Sequence, residues 1–370
     1  MLFADSLQET NNMPQPIRTV VIGSGFADRV QLHSLKAHPS IDVVAVCSRT
    51  QSHVKEMAAK HGIGSYYTHW REMLDKEKPN LVSIVTPPAL HKEMTIAAFE
   101  AGAHVICEKP LAMSADEIRA MLEAAHKFKK IHILNHEFRY IPARYYQKVL
   151  LDEGYIGEPL LLEGTQLSGW RRDPAIKWNW WADKNMGGGM YGALGSHYLD
   201  TFRWWTSANI DTITGQLQFP FKTRPDADGN PKPVTADEAA SMLITMSNGV
   251  NAILNMSAVA AGQLTRLAIH GTEGALVVED NRRLFGRTKD ETDMHPIEIP
   301  AEYTPPLWNP DKNLLVGPFY KLVDLTVQKI YGRQLSDSRL EPATFADGIE
   351  IQKALDGGMK SHEKGERIEL

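Results

Sequence analysis

Three short constellations in this 370-residue chain carry residue types able to do chemistry. The first is Gly23-Ser24-Gly25-Phe26-Ala27-Asp28, which follows the β-branched run Ile17–Ile22 and leads into a helix-like stretch. The first glycine allows a tight strand-to-helix turn, and the second lets backbone approach a pyrophosphate seated on a helix N-terminus. Asp28 occupies the third glycine position, so the fingerprint is incomplete and its placement after the first strand carries the weight. The second constellation is Glu108-Lys109-Pro110, just past the strand-like Ala103–Cys107. Open α/β sheets bind ligands outside the carboxyl ends of their strands, and a lysine there can hold a substrate oxygen and stabilise developing alkoxide charge. Glu108 can pair with Lys109 or contact a ribose, while Pro110 restricts the turn. The third is Gly187-Gly188-Gly189, followed by Gly195-Ser196-His197 and Asp200. Imidazole titrates near neutrality, which suits His197 to general acid–base work, although a lone helical histidine is more often structural.

The elements that position these groups fall into two styles. The first half alternates short apolar runs (Ile17–Ile22, Asp42–Ser48, Leu81–Thr86, Ala103–Cys107, Ile131–Leu134) with helix-like stretches at Ser52–His61, His69–Lys76, His91–Ala101 and Ser114–Lys129. That pattern predicts a doubly wound parallel sheet with helices on both faces, a Rossmann domain over 17–140. Residues 141–370 read as an α+β domain with an open-faced, mainly antiparallel sheet, from strand-like segments near 160–167, 241–246, 251–257, 266–270 and 275–279 separated by hairpin signals. Lys222–Pro233, rich in Pro, Asp and Gly, is expected to be an exposed loop, and Thr344–Ser361 a final helix. Residues 1–16 are polar and are expected to form a flexible arm.

At the end of the second apolar run, Ser48-Arg49-Thr50 contains no acid for a ribose 2′-hydroxyl, whereas an arginine suits a 2′-phosphate. The expected cofactor is therefore NAD(P), with NADP favoured over NAD. Six of the eight tryptophans lie between Trp170 and Trp205, and the Trp178, Trp180 and Trp181 group follows Arg171-Arg172. Aromatic faces stack on the apolar faces of sugar rings, but a second-domain core or subunit interface would use tryptophan equally.

These motifs, with Thr86-Pro87-Pro88 and His91, and Arg139 with Pro142, resemble the Gfo/Idh/MocA family of glucose–fructose oxidoreductases and inositol dehydrogenases. The resemblance spans nearly the whole chain, and Glu108-Lys109-Pro110 is its most specific part. It implies hydride transfer between nicotinamide and a secondary hydroxyl, such as C3, of a sugar, polyol or glycoside. Lys109 and His197 would be catalytic. The cofactor would contact Gly23, Ser24, Gly25, Phe26, Ala27, Ser48, Arg49, Thr86, Pro87, His91, Glu108, Lys109 and Arg139. The substrate would contact Lys109, His136, Glu137, Trp178, Tyr191 and His197. One departure stands out: many relatives carry aspartate four residues before this histidine, and here that position is Ala193. Glu137, Tyr191 and Asp200 are the candidates to compensate. Some members of such a family hold the nicotinamide tightly, as redox-cycling glycosidases or sugar–sugar oxidoreductases, and a non-catalytic cofactor-binding sensor is a further alternative. The resemblance also implies a homodimer or homotetramer packed through the second sheet.

Charge is nearly balanced, with 40 Lys+Arg against 45 Asp+Glu, which leaves no footprint for nucleic acid or an anionic membrane. Two cysteines cannot build a disulfide framework or a Cys-rich zinc site, and no His-Glu-x-x-His occurs, so no catalytic metal is expected. No apolar run reaches the ~20 residues of a spanning helix, and a cytoplasmic location is expected.

Overall fold

The computed structural model describes residues 15–370; the arm expected over 1–16 lies, apart from its last two residues, outside them. Strands β1 (Ile17–Ile22), β2 (Ile41–Cys47), β3 (Ser65–Tyr67), β4 (Leu81–Ile84), β5 (His104–Cys107) and β6 (His132–Leu134) form one parallel sheet in the order β3-β2-β1-β4-β5-β6. Helices α1 (Leu32–Ala37), α2 (Gln51–His61), α3 (Trp70–Glu77), α4 (His91–Glu100) and α5 (Ala115–Lys127) connect them. The central strands are buried almost end to end because helices cover both faces. Ser114 caps α5 by accepting from the Glu117 amide, and Asp116 and Glu117 favour its positive end. The strand order reverses between β1 and β4, which opens a crevice where the Gly23 turn emerges.

Past α6 (Pro142–Asp152) the chain builds a nine-stranded sheet: β7 (Pro159–Leu167), β8 (Ile210–Gln218), β11 (Ala239–Met246), β12 (Asn251–Ser257), β13 (Leu264–Gly271), β14 (Gly274–Glu279), β15 (Arg283–Thr288), β16 (His295–Ile297) and β17 (Ile368–Glu369). Only β7 and β12 pair in parallel. Its inner face receives α7 (Ser196–Thr206) and α9 (Phe345–Lys364). A Cβ on Gly164 would lie 2.7 Å from the Tyr198 ring, so a bare backbone there lets α7 settle on the sheet. The outer face carries Ser241, Leu243 and Thr245 beside Asn255, Ile253 and Asn251.

Two expectations change. Lys222–Pro233 is not all loop: β9 (Thr223–Pro225) and β10 (Pro231–Pro233) pair as a small hairpin, since the turn residues Asp226 and Gly229 bring the flanks together. The division at residue 140 also fails to separate the cores. Helix α8 (Val316–Ile330) returns to the first domain, where Phe319, Leu322 and Val323 share a core with Val21, Val30 and Leu35. The apolar face of α1 would otherwise lack cover, so the chain's late segment supplies it.

Candidate active site

The crevice at β1 and β4 is a cavity of about 390 Å³ lined by Gly23–Gly25, Ser48, Arg49, Thr50, His53, Thr86, Pro87 and Trp180 among others. Gly23 has φ +123°, and a Cβ there would stand 2.2 Å from the Val85 carbonyl oxygen, so only glycine makes this turn. At Gly25 an added Cβ would meet nothing within 4 Å; the space above that backbone is free. A forced turn below an open cradle fits a dinucleotide, which Gly23–Gly25, Ser48 and Arg49 would hold. Asp28, at the third glycine position, turns away: it accepts from Lys60 Nζ at 2.9 Å and lies 2.7 Å from His61 Nε2.

Beyond the crevice lies a second, buried part assembled from segments about 60 residues apart. His136, which precedes the tight turn Glu137–Tyr140, and Arg139 within it sit three residues apart. They face His197 and Asp200, also three apart, on α7. His136 Nδ1 lies 3.3 Å from His197 Nδ1, and Arg139 clamps Asp200 through Nε at 2.8 Å and Nη2 at 2.5 Å. Phe138 stacks flat on the His197 ring at 3.8 Å. Burial, reinforced by the charges of Lys109, His136 and Arg144, holds the His197 imidazolium form well below its ordinary range. Burial likewise lowers His136 to about 4, although Asp200 opposes it.

Lys109 enters the same region from the end of β5 and donates from Nζ to the Ala193 carbonyl at 2.9 Å. Ala193 lies in a π-helical turn, Tyr191–Gly195, directly ahead of α7. Glu108 is buried, accepting from Gln31 Nε2 at 2.8 Å and Asn135 Nδ2 at 2.6 Å; Ser83 in turn donates to Gln31. Burial raises its carboxyl, against the pull of Lys109. Glu137 is buried with Oε2 unpartnered, and burial, aided by the charge of Glu108, pushes it up to about 8. Burial thus favours its protonated form.

Several residues expected at the ligands are occupied elsewhere. Arg139 is held by Asp200 and the Glu341 carbonyl, away from the cofactor cavity. His91 is fully buried and bridges the Thr86 carbonyl, at 2.7 Å, to those of Pro110 and Leu111, so it braces two cleft loops. Tyr191 donates its hydroxyl to the Ala354 carbonyl on α9. Ala27 is buried, and Phe26 packs at the edge of the first-domain core. Trp178 donates to the Pro233 carbonyl and lies under Lys232 Nζ, so it belongs to the β9–β10 hairpin.

Trp180 is the indole that reaches the cleft, and Trp70 and His53 join it there. The aromatic cluster signalled this group, and Asn179 accepts from the Trp181 amide beside it. Asp237 was not foreseen at all. It accepts from the Tyr191 amide at 2.8 Å, and a Cβ on Gly189 would come within 2.3 Å of it, so the glycine run is shaped around this carboxylate. Burial raises Asp237 to about 7.

The profile of the oxidoreductase family with an NAD-binding Rossmann fold matches residues 17–136, and that of the GFO/IDH/MocA C-terminal domain matches 146–277. An uncharacterised oxidoreductase of Synechocystis is 30% identical over 359 residues, covering 94% of each chain. The chain belongs to the Gfo/Idh/MocA family. A levoglucosan dehydrogenase of Pseudarthrobacter phenanthrenivorans is 30% identical over 294 residues, 73% of this chain and 75% of its own. A solved levoglucosan dehydrogenase, in complex with NADH and levoglucosan, superimposes with a TM-score of 0.86 at 25% identity, covering 96% of this chain and 100% of that one. The matched range 17–136, an NAD-binding Rossmann fold, includes the Gly23 turn.

Proposed function

We propose that the protein oxidises a secondary hydroxyl of a sugar, polyol or glycoside, C3 of a pyranose foremost, using NAD(P). The observation that carries this reading is that Lys109 bonds to the π-helical turn Tyr191–Gly195 and His197 follows that turn by two residues, on α7. A bound nicotinamide supplies the hydride acceptor. Lys109 holds the substrate oxygen and stabilises its developing charge, and neutral His197 takes the hydroxyl proton. The levoglucosan bound in the solved relative supports a polyhydroxylated, uncharged substrate. Arg49 beside Ser48 in the cavity wall, with no carboxylate among the lining residues there, supports NADP over NAD. Trp180, reaching over the crevice from the second domain, favours a cofactor retained between turnovers, as a sugar–sugar oxidoreductase or redox-cycling glycosidase would need.

The outward row of Leu243, 59% exposed, beside Ile253 supports assembly through the second sheet as a dimer or tetramer. Cys47 and Cys107, both buried and unpaired, suit a reducing cytoplasm. Purified protein incubated with either cofactor and a panel of sugars and glycosides, followed by reduced-nicotinamide absorbance, tests the activity. No turnover on any polyhydroxylated substrate would refute it. Arg49→Ala is expected to weaken NADP roughly 10-fold while NAD changes little. Nicotinamide that survives gel filtration would mark the retained-cofactor variant.

A further inference from the structure

We propose that His136 is the positioning residue of His197, setting its tautomer and receiving its proton. The inference rests on the reading of His197 as the base. It starts from a contact between two imidazoles, Nδ1 to Nδ1 at 3.3 Å, with the rings crossed at 78°. Two neutral rings can share that contact only if one nitrogen donates and the other accepts. A base at His197 Nε2 requires the proton on its Nδ1, so His136 Nδ1 must accept it. The other nitrogen of His136, Nε2, then carries the ring's own hydrogen; it is buried and meets no protein partner.

The charges around the two rings differ. Lys109 and Arg144 face His197, beside His136 itself, and no carboxylate offsets them. His136 is faced by Asp200, whose Oδ2 lies 4.0 Å from Nδ1, and by Asp347, against Arg139 and Lys109. A positive charge is therefore better placed on His136. When the substrate hydroxyl gives its proton to His197 Nε2, and its carbon gives hydride to oxidised nicotinamide, the Nδ1 proton of His197 passes to His136 Nδ1. His197 ends neutral, and His136 ends as an imidazolium beside Asp200. Reduction runs the same path backwards. Arg139 holds Asp200 from the other side and fixes the α7 face that presents both partners. Ala193, one turn before His197, has no group to do this work.

The test combines nitrogen-15 NMR of histidine-labelled protein with two variants. Wild-type protein is expected to show His197 as the Nδ1–H tautomer, and His136→Leu to switch it to Nε2–H. His136→Gln keeps an acceptor but cannot take the proton. We expect oxidation kcat to fall about 10-fold in His136→Gln and about 100-fold in His136→Leu, with KM and cofactor Kd within twofold. An Nε2–H His197 in the wild type, or kcat within twofold of wild type in both variants, would overturn the proposal. If His136→Leu does not fold, the wild-type tautomer and the glutamine variant still decide. Should no sugar be turned over, the NMR result stands apart from the failed activity.

Discussion

The cofactor crevice and the buried floor beyond it are built in opposite ways. The crevice is backbone: a glycine forced to φ +123°, a second glycine under open space, and loops at the ends of β2 and β4. Trp180 aside, its parts lie close in sequence to the strands that aim them. The floor is side chains: His136, Glu137 and Arg139 from one turn, His197 and Asp200 from α7, and Lys109 from β5. Almost every polar group there is buried, and several atoms, including Asn135 Oδ1, Glu137 Oε2 and Ser196 Oγ, have no protein partner. Buried polar atoms without partners cost stability, and sites of chemistry are where such groups are retained. The crevice is defined by backbone shape, and the floor by buried polar side chains.

That contrast makes kinetic predictions separable. Lys109→Ala and His197→Ala should each lower kcat by about 10²–10⁴-fold while cofactor Kd stays within about threefold, measured by initial rates and fluorescence titration. Equal losses in cofactor affinity would show that the two regions are one. The glycines come next. Gly23→Ala cannot fit against Val85 and should destabilise the fold by about 3 kcal/mol or more in denaturant melts. Gly25→Val should fold normally and bind cofactor at least about 10-fold more weakly, because its side chain enters only the open cradle.

Glu137 sharpens the floor's side of the comparison. Its carboxyl is raised to about 8 from an ordinary 4.5, so the folded protein keeps a proton that the unfolded chain has lost. The stability this proton contributes is complete below about pH 4.5 and is lost as pH rises through about 8. Glu137→Gln should therefore melt a few degrees higher than the parent at pH 8 and no higher at pH 4, by calorimetry. The smallest effect belongs to Asp28. Its partners Lys60 and His61 lie on α2 outside the cradle, so Asp28→Ala should cost less than about 1 kcal/mol and leave cofactor binding unchanged.

Much of the crevice was legible because its signals are local. Gly23, Gly25, Ser48 and Arg49 take their places in the cavity wall from neighbouring strands whose apolar runs mark them, and Ser114 caps α5 within three residues. Strands β3, β8 and β15 to β17 were not foreseen. β3 and the outermost strands are too short or too polar to carry a period, and the outward half of β8 is threonine and glutamine. Helix α8 was missed for a related reason, since its partner α1 lies almost 300 residues earlier. At the site, the types of His136, Arg139, Tyr191 and Trp178 suggested ligand contacts, but type does not say which way a side chain turns. Tertiary contacts turned Arg139 to Asp200, Tyr191 to Ala354 and Trp178 to Pro233, and brought Trp180 to the cleft instead.

From sequence alone, this protein's two-domain plan, its dinucleotide turn, and Lys109 and His197 as chemical candidates are determined, since each depends on short-range spacing. Only the tertiary structure decided the raised carboxyl of Glu137, the paired imidazoles and the clamp on Asp200. Those properties come from burial and from charges contributed by segments distant in the chain, and no local pattern encodes the dielectric in which a group will sit.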